Sequence, residues 1–141
     1  MIHHSLTEDS GTVSWGAIRR YHTDPNGEYK MRDIGYHYGV ELIGNHYEIL
    51  VGRNLLESGA HCYQQGMNSK AIGICIVGNF DVRVPDEAVL HRTACLTKTL
   101  MELFRIPISN VVAHKDYAPK TCPGRLFDID KYKSRVLLAN L

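Results

Sequence analysis

The spacing of apolar positions switches between helical and strand-like periods along the chain. Over 14–22, Trp15, Ile18, Tyr21 and His22 fall at helical spacing on one face, which predicts a helix. Asp24-Pro25-Asn26-Gly27 then makes a strong turn, and a loop continues to residue 33. Residues 35–42 and 47–51 predict the strands of an antiparallel hairpin joined through Ile43-Gly44-Asn45-His46. The stretch 53–69 is long, polar and punctuated by Gly59 and Gly66, and loops of that length inside a compact domain are often functional. Residues 71–77 form an unbroken apolar run, expected to be a strand covered on both faces. Pro85-Asp86-Glu87 opens the clearest helix, over 85–104. Proline and acids suit its first turn, and Val89, Leu90, Thr93, Leu96 and Leu100 mark its buried stripe. A last strand is expected over 111–113 and a terminal helix over 128–138. At the other end, residues 1–4 look like a strand shortened to little more than Met1 and Ile2 before two histidines, followed by a polar loop over 7–11. Helices mixed with hairpin and single strands predict an α/β fold: one domain over 1–141, with a mixed central β-sheet and helices packed on its faces.

Composition narrows the function classes. A chain of 141 residues can bury a core without disulfide staples. A formal net charge of +1 supplies no basic field, so no nucleic acid partner is expected. No apolar run is long enough for a membrane segment. His3 and His4 follow the first two residues directly, so no signal peptide is expected, and the four cysteines are expected to be reduced thiols of a protein made in the cytoplasm. A monomer is the expectation.

The chemistry concentrates in Val111-Val112-Ala113-His114-Lys115-Asp116-Tyr117-Ala118-Pro119-Lys120-Thr121-Cys122-Pro123-Gly124. An apolar run delivers His114, and a proline-stiffened loop returns Lys120 and Cys122. Imidazole nitrogen and thiolate sulfur together suit zinc better than magnesium or calcium. Each proline pushes the residue before it toward an extended conformation, in which Lys120 and Cys122 face the same way. A cation there favours the thiolate and, later, a developing oxyanion. Three strand ends carry polar groups that can meet at one sheet edge: His3-His4, Gly35-Tyr36-His37-Tyr38 and His114. Two histidines plus Cys122 make a three-ligand zinc site with an open fourth position, the mark of catalytic zinc. A fourth protein ligand such as His4 or Cys62 would instead close it into a structural site.

The sequence resembles the zinc-dependent N-acetylmuramoyl-L-alanine amidases, the group that includes short phage endolysins and the peptidoglycan recognition proteins. The matching pieces are Ile2-His3-His4-Ser5, Ile34-Gly35-Tyr36-His37-Tyr38, Val51-Gly52-Arg53, Gly59-Ala60-His61, the run from Asn68-Ser69-Lys70-Ala71 to Gly78, and His114 through Gly124, all in the family's order. The resemblance implies one zinc ion held by His3, His114 and Cys122. It implies that Tyr36 faces the reactive water and that Lys120 stabilises the tetrahedral intermediate; which of the two moves the proton is left open. It implies cleavage of the amide between the lactyl group of N-acetylmuramic acid and L-alanine. The substrate is then peptidoglycan reached after release from the cell, or recycled muropeptides in the cytoplasm. Recognition modules of the same family that do not catalyse often lack the cysteine, so Cys122 with Tyr36 and Lys120 argues for an enzyme over a binding module.

Other polar residues carry plainer readings beside the functional one. Neighbours on a strand face opposite ways, so one of His3 and His4 must turn from the site. His61, His37 and Asn68 are the candidates for substrate contact. Against that, His37 is expected to be packed behind the ligands, Asn68 to brace its loop, and His61 to be a surface histidine. Arg53 is expected at the surface or in an ion pair, and Trp15 in the core.

Overall fold

The computed structural model describes residues 1–8 and 14–140; positions 9–11 of the expected polar loop lie outside them. The fold centres on a mixed four-stranded sheet of β1 (Ile2–His4), β2 (Tyr38–Ile43), β3 (His46–Val51) and β4 (Ile74–Ile76). Their order is β1-β4-β2-β3, with β4 parallel to both neighbours and β2 antiparallel to β3. The hairpin turns on Gly44 at φ +63°, a left-handed conformation that glycine adopts without strain. Around the sheet lie α1 (Trp15–Thr23), the single turn α2 (Met67–Lys70), α3 (Glu87–Phe104) and α4 (Ile129–Leu138).

Local sequence sets the helix starts. The side chains of Ser14, Asp86 and Asp128 each accept a backbone N–H of the first turn of α1, α3 and α4 respectively. The register places Ile2, Ile74 and Tyr38 side by side, then His3, Cys75 and Gly39, then His4, Ile76 and Val40. Side chains alternate between faces along a strand. One face therefore sends Ile2, Ile74, Ile76 and Val40 into a core with Leu96 and Leu100 of α3 and Tyr132 and Val136 of α4. The other sends Cys75 and Val77 against Trp15 and Ile18 of α1. His3 shares the α1 face.

Three strands differ from expectation. β2 begins at Tyr38 rather than at 35, so Tyr36 and His37 lie on the segment that leads into it. Residues 111–113 form no strand: they meet β1 through one bridge, Ile2 to Ala113, with the Ile2 N–H donating to the Val112 carbonyl. The Ala113 N–H is instead capped by the Asp116 carboxylate at 2.8 Å, and the chain turns at once into a 3-10 turn over His114–Asp116. The 71–77 run keeps only Ile74–Ile76 as strand, because Ala71 closes α2 by donating to the Met67 carbonyl. Arg53 is also not a surface residue. It is buried, and its guanidinium donates to the carbonyls of Asp33, Ile34 and Ser58, tying the long loop to the strand before it.

Candidate metal centre

β1 supplies His3 from the sheet, and the 3-10 turn supplies His114 at its first position. Cys122 arrives on the following loop, just before a cis bond to Pro123. That loop is anchored to Asp81, whose carboxylate accepts from the Thr121 hydroxyl and the Arg125 N–H. Among the described residues, the one group of three or more His, Cys, Asp or Glu side chains that converges enough to hold a metal is His3, His114 and Cys122. Their ligand atoms lie within 4.8 Å of one another. The Cys122 sulfur is 3.7 Å from His3 Nδ1. A tetrahedral zinc with ordinary Zn–S and Zn–N bonds holds such a pair about 3.6 Å apart. The donor set and its spacing fit zinc.

Neither His4 nor Cys62 joins this group. His4 turns to the opposite side of β1, where its Nδ1 accepts from the Phe80 N–H and its ring stacks on Phe80. The Cys62 thiol donates to Gln64 Oε1. The three-residue set therefore has no fourth ligand from either. It opens on a cleft of about 700 Å³ lined by His3, Tyr36, His114, Lys120 and Cys122 and, from α1, by Ala17, Ile18, Tyr21 and His22.

Burial dominates the electrostatics. It holds His3 well below the ordinary imidazole value, with the neighbouring histidines pushing the same way. It lowers His114 to about 4, and the Lys120 ammonium adds to this. Both rings are neutral at neutral pH, as metal ligands must be. Cys122 differs from expectation: burial pushes its thiol up to about 12. The His4 N–H donating to its sulfur and the Lys120 charge pull it down by less. Without a metal, Cys122 keeps its proton despite the lysine. Tyr36 sits with its ring centroid 5.2 Å from that of His3 and its hydroxyl hydrogen-bonded with the Cys75 thiol. Burial raises it well above the ordinary tyrosine value, so it is a hydroxyl donor rather than a base.

The three residues expected to touch substrate are not among the described residues lining this cleft. His37 is buried, with Nδ1 accepting from the Gly73 N–H and Nε2 donating to the Glu57 carbonyl. Asn68 braces its loop: its Oδ1 accepts the N–H groups of both His61 and Cys62 at 2.7 Å. His61 is buried, with Nδ1 3.0 Å from His3 Nε2 and Nε2 3.1 Å from the Ala71 carbonyl. No pattern in the chain points directly to that His3 contact. The signal nearest to it was Gly59 and Gly73, where an added Cβ would lie 2.5 and 2.6 Å from the His61 ring.

A family model described as N-acetylmuramoyl-L-alanine amidase matches residues 1–125. The endolysin of Enterobacteria phage K11 is 31% identical over 134 residues, covering 93% of this chain and 82% of that protein. Among solved structures, the N-acetylmuramoyl-L-alanine amidase LysC from Clostridium intestinale URNW superimposes with a TM-score of 0.76. It is 24% identical and the match covers 99% of this chain and 83% of that one, a likeness of fold. The bumblebee PGRP-SA structure gives 0.68 at 28% identity, covering 89% of this chain and 74% of that one.

Proposed function

The chain belongs to the N-acetylmuramoyl-L-alanine amidase family, and from that premise we propose that it hydrolyses the amide joining the lactyl group of N-acetylmuramic acid to L-alanine, using one zinc ion held by His3, His114 and Cys122. The observation that carries the reading is the convergence of those three ligand atoms beside an open cleft. A zinc ion held by these three residues would supply Lewis acidity and activate a water for attack on the amide. The chain's own residues do the rest. Lys120 brings a cation to the cleft beside His114, where it stabilises negative charge developing on the carbonyl oxygen. Tyr36 keeps its proton and offers a hydroxyl donor on the cleft wall nearest His3. A protonated Tyr36 is no base, and the proton that the leaving amine needs comes from the Lys120 ammonium, the Tyr36 hydroxyl or solvent. Likeness to a phage endolysin over 93% of the chain supports wall peptidoglycan over soluble fragments as the substrate.

The likeness to PGRP-SA favours a second reading, a peptidoglycan-recognition module without catalysis. Incubation with purified peptidoglycan, with and without a chelator, separates the two. The amidase releases stem peptides that begin with L-alanine and leaves glycan strands uncut, and the chelator stops it. New reducing sugar ends would sink the amidase reading, and binding without cleavage would support the recognition module.

A further inference from the structure

We propose that His61 is a positioning residue that fixes the tautomer of His3, keeping the proton on Nε2 so that Nδ1 alone is presented to the metal. The inference rests on the zinc site proposed above but is argued from hydrogen bonds behind it. A carbonyl oxygen can only accept, so the 3.1 Å contact with Ala71 places an N–H on His61 Nε2. A neutral imidazole has one N–H, so His61 Nδ1 is an acceptor. It lies 3.0 Å from His3 Nε2, which must then be the donor. The remaining nitrogen, His3 Nδ1, carries an acceptor lone pair and is the one 3.7 Å from the Cys122 sulfur. Polarity thus runs from a fixed backbone carbonyl through two rings to the metal edge.

The loop is shaped to hold this ring still. Gly59 and Gly73 leave a slot in which any Cβ would collide with the His61 ring, and Asn68 pins the backbone on which His61 sits. His61 also lies outside the described lining of the cleft, so its role passes through His3 rather than through substrate. Outer partners of this kind orient a ligand and raise its basicity, and their loss weakens metal binding about 10- to 100-fold.

The test compares the full chain with His61→Leu, which removes the acceptor, and His61→Asn, whose amide oxygen can take the place of Nδ1. Two quantities are measured: zinc affinity by competition with a chromophoric chelator, and the His3 tautomer in the metal-free protein by ¹⁵N–¹H correlation NMR. The expectation is an Nε2-protonated His3 in the unsubstituted protein, an affinity loss of about 10- to 100-fold in His61→Leu, and recovery of most of it in His61→Asn. A proton on His3 Nδ1, or a folded His61→Leu chain that binds zinc as tightly as the parent, would overturn the proposal. So would a folded His61→Asn chain no better than His61→Leu. If His61→Leu does not fold, the tautomer in the unsubstituted protein decides. Failure of the unsubstituted protein to bind zinc would instead count against the zinc amidase reading, and the tautomer would still judge this one.

Discussion

Two residues of the cleft make separable contributions, and their chemistry says how to tell them apart. Lys120 is exposed beside the ligands and is not one of them, so Lys120→Ala is expected to lower turnover about 100- to 1000-fold while zinc content stays that of the parent. Assay on muropeptides with metal analysis of the same sample checks this; loss of metal together with rate would make Lys120 structural. Cys122→Ser should lose both, because a neutral hydroxyl replaces the soft anionic ligand. Cys122 also allows a sharper prediction. Its thiol is pushed up to about 12 whereas His3 and His114 are already neutral, so at pH 7.5 Cys122 alone of the three must lose a proton to bind zinc. Zinc binding should then release about one proton. Calorimetric titration in buffers of different ionisation enthalpy measures it, and a release near zero would mean that the thiolate forms before the metal arrives.

At the scale of elements, α1 builds one wall of the cleft and is held there by a few contacts with the sheet. The Trp15 N–H donates to the Glu41 carboxylate at 2.9 Å, and the indole N–H donates to the Val51 carbonyl. The indole lies directly over Gly39, where a Cβ would come within 2.6 Å of the ring. Gly39→Leu should therefore lift α1 from β2 and destabilise the chain by about 1–3 kcal/mol through overpacking. Trp15 is the one tryptophan in the sequence, so a red-shifted emission reports its exposure, and unshifted emission would show that α1 docks without this contact. The long helices were legible to within about two residues because their periodicity and start signals are local; α3 begins at Glu87 rather than Pro85, because Asp86 caps the helix instead of entering its first turn. The hairpin was legible for the same reason. The strand expected over 111–113 was not, because an apolar run says nothing about whether a neighbour is long enough to pair with it. β1 is three residues long, and the chain turns away at His114 before a second pairing with it can form.

The site follows the same division across the whole molecule. Ligand types and loop stiffness could be read from residues 111–124, and strand alternation required one of His3 and His4 to turn away. The role of His61 was not legible. It depends on which way a ring faces in a slot made by two glycines 14 positions apart, a matter of packing rather than spacing. Packing has a further consequence for stability. His3, His4, His22, His37, His61 and His114 are all held below the ordinary histidine value, in each case chiefly by burial, with His114 at about 4 and His61 at about 3. Between those values and about 6.5 the unfolded chain binds protons that the folded chain refuses, so stability must rise with pH there. The histidine contribution is full above about pH 6.5 and drains away as pH falls through that value toward the folded ones. Asp33 and Asp81 are held below the usual carboxylate range, so their own contribution is lost only as pH falls toward and below about 4, under the pH 7 to 5 span. In metal-free protein the urea midpoint should fall steadily from pH 7 to 5 with its slope unchanged. Zinc should raise the midpoint at pH 7 by binding the folded state alone, and lose that advantage toward pH 5 as protons compete for the ligands. A midpoint that does not move between pH 7 and 5 would mean that these rings accept protons inside the fold as readily as in water.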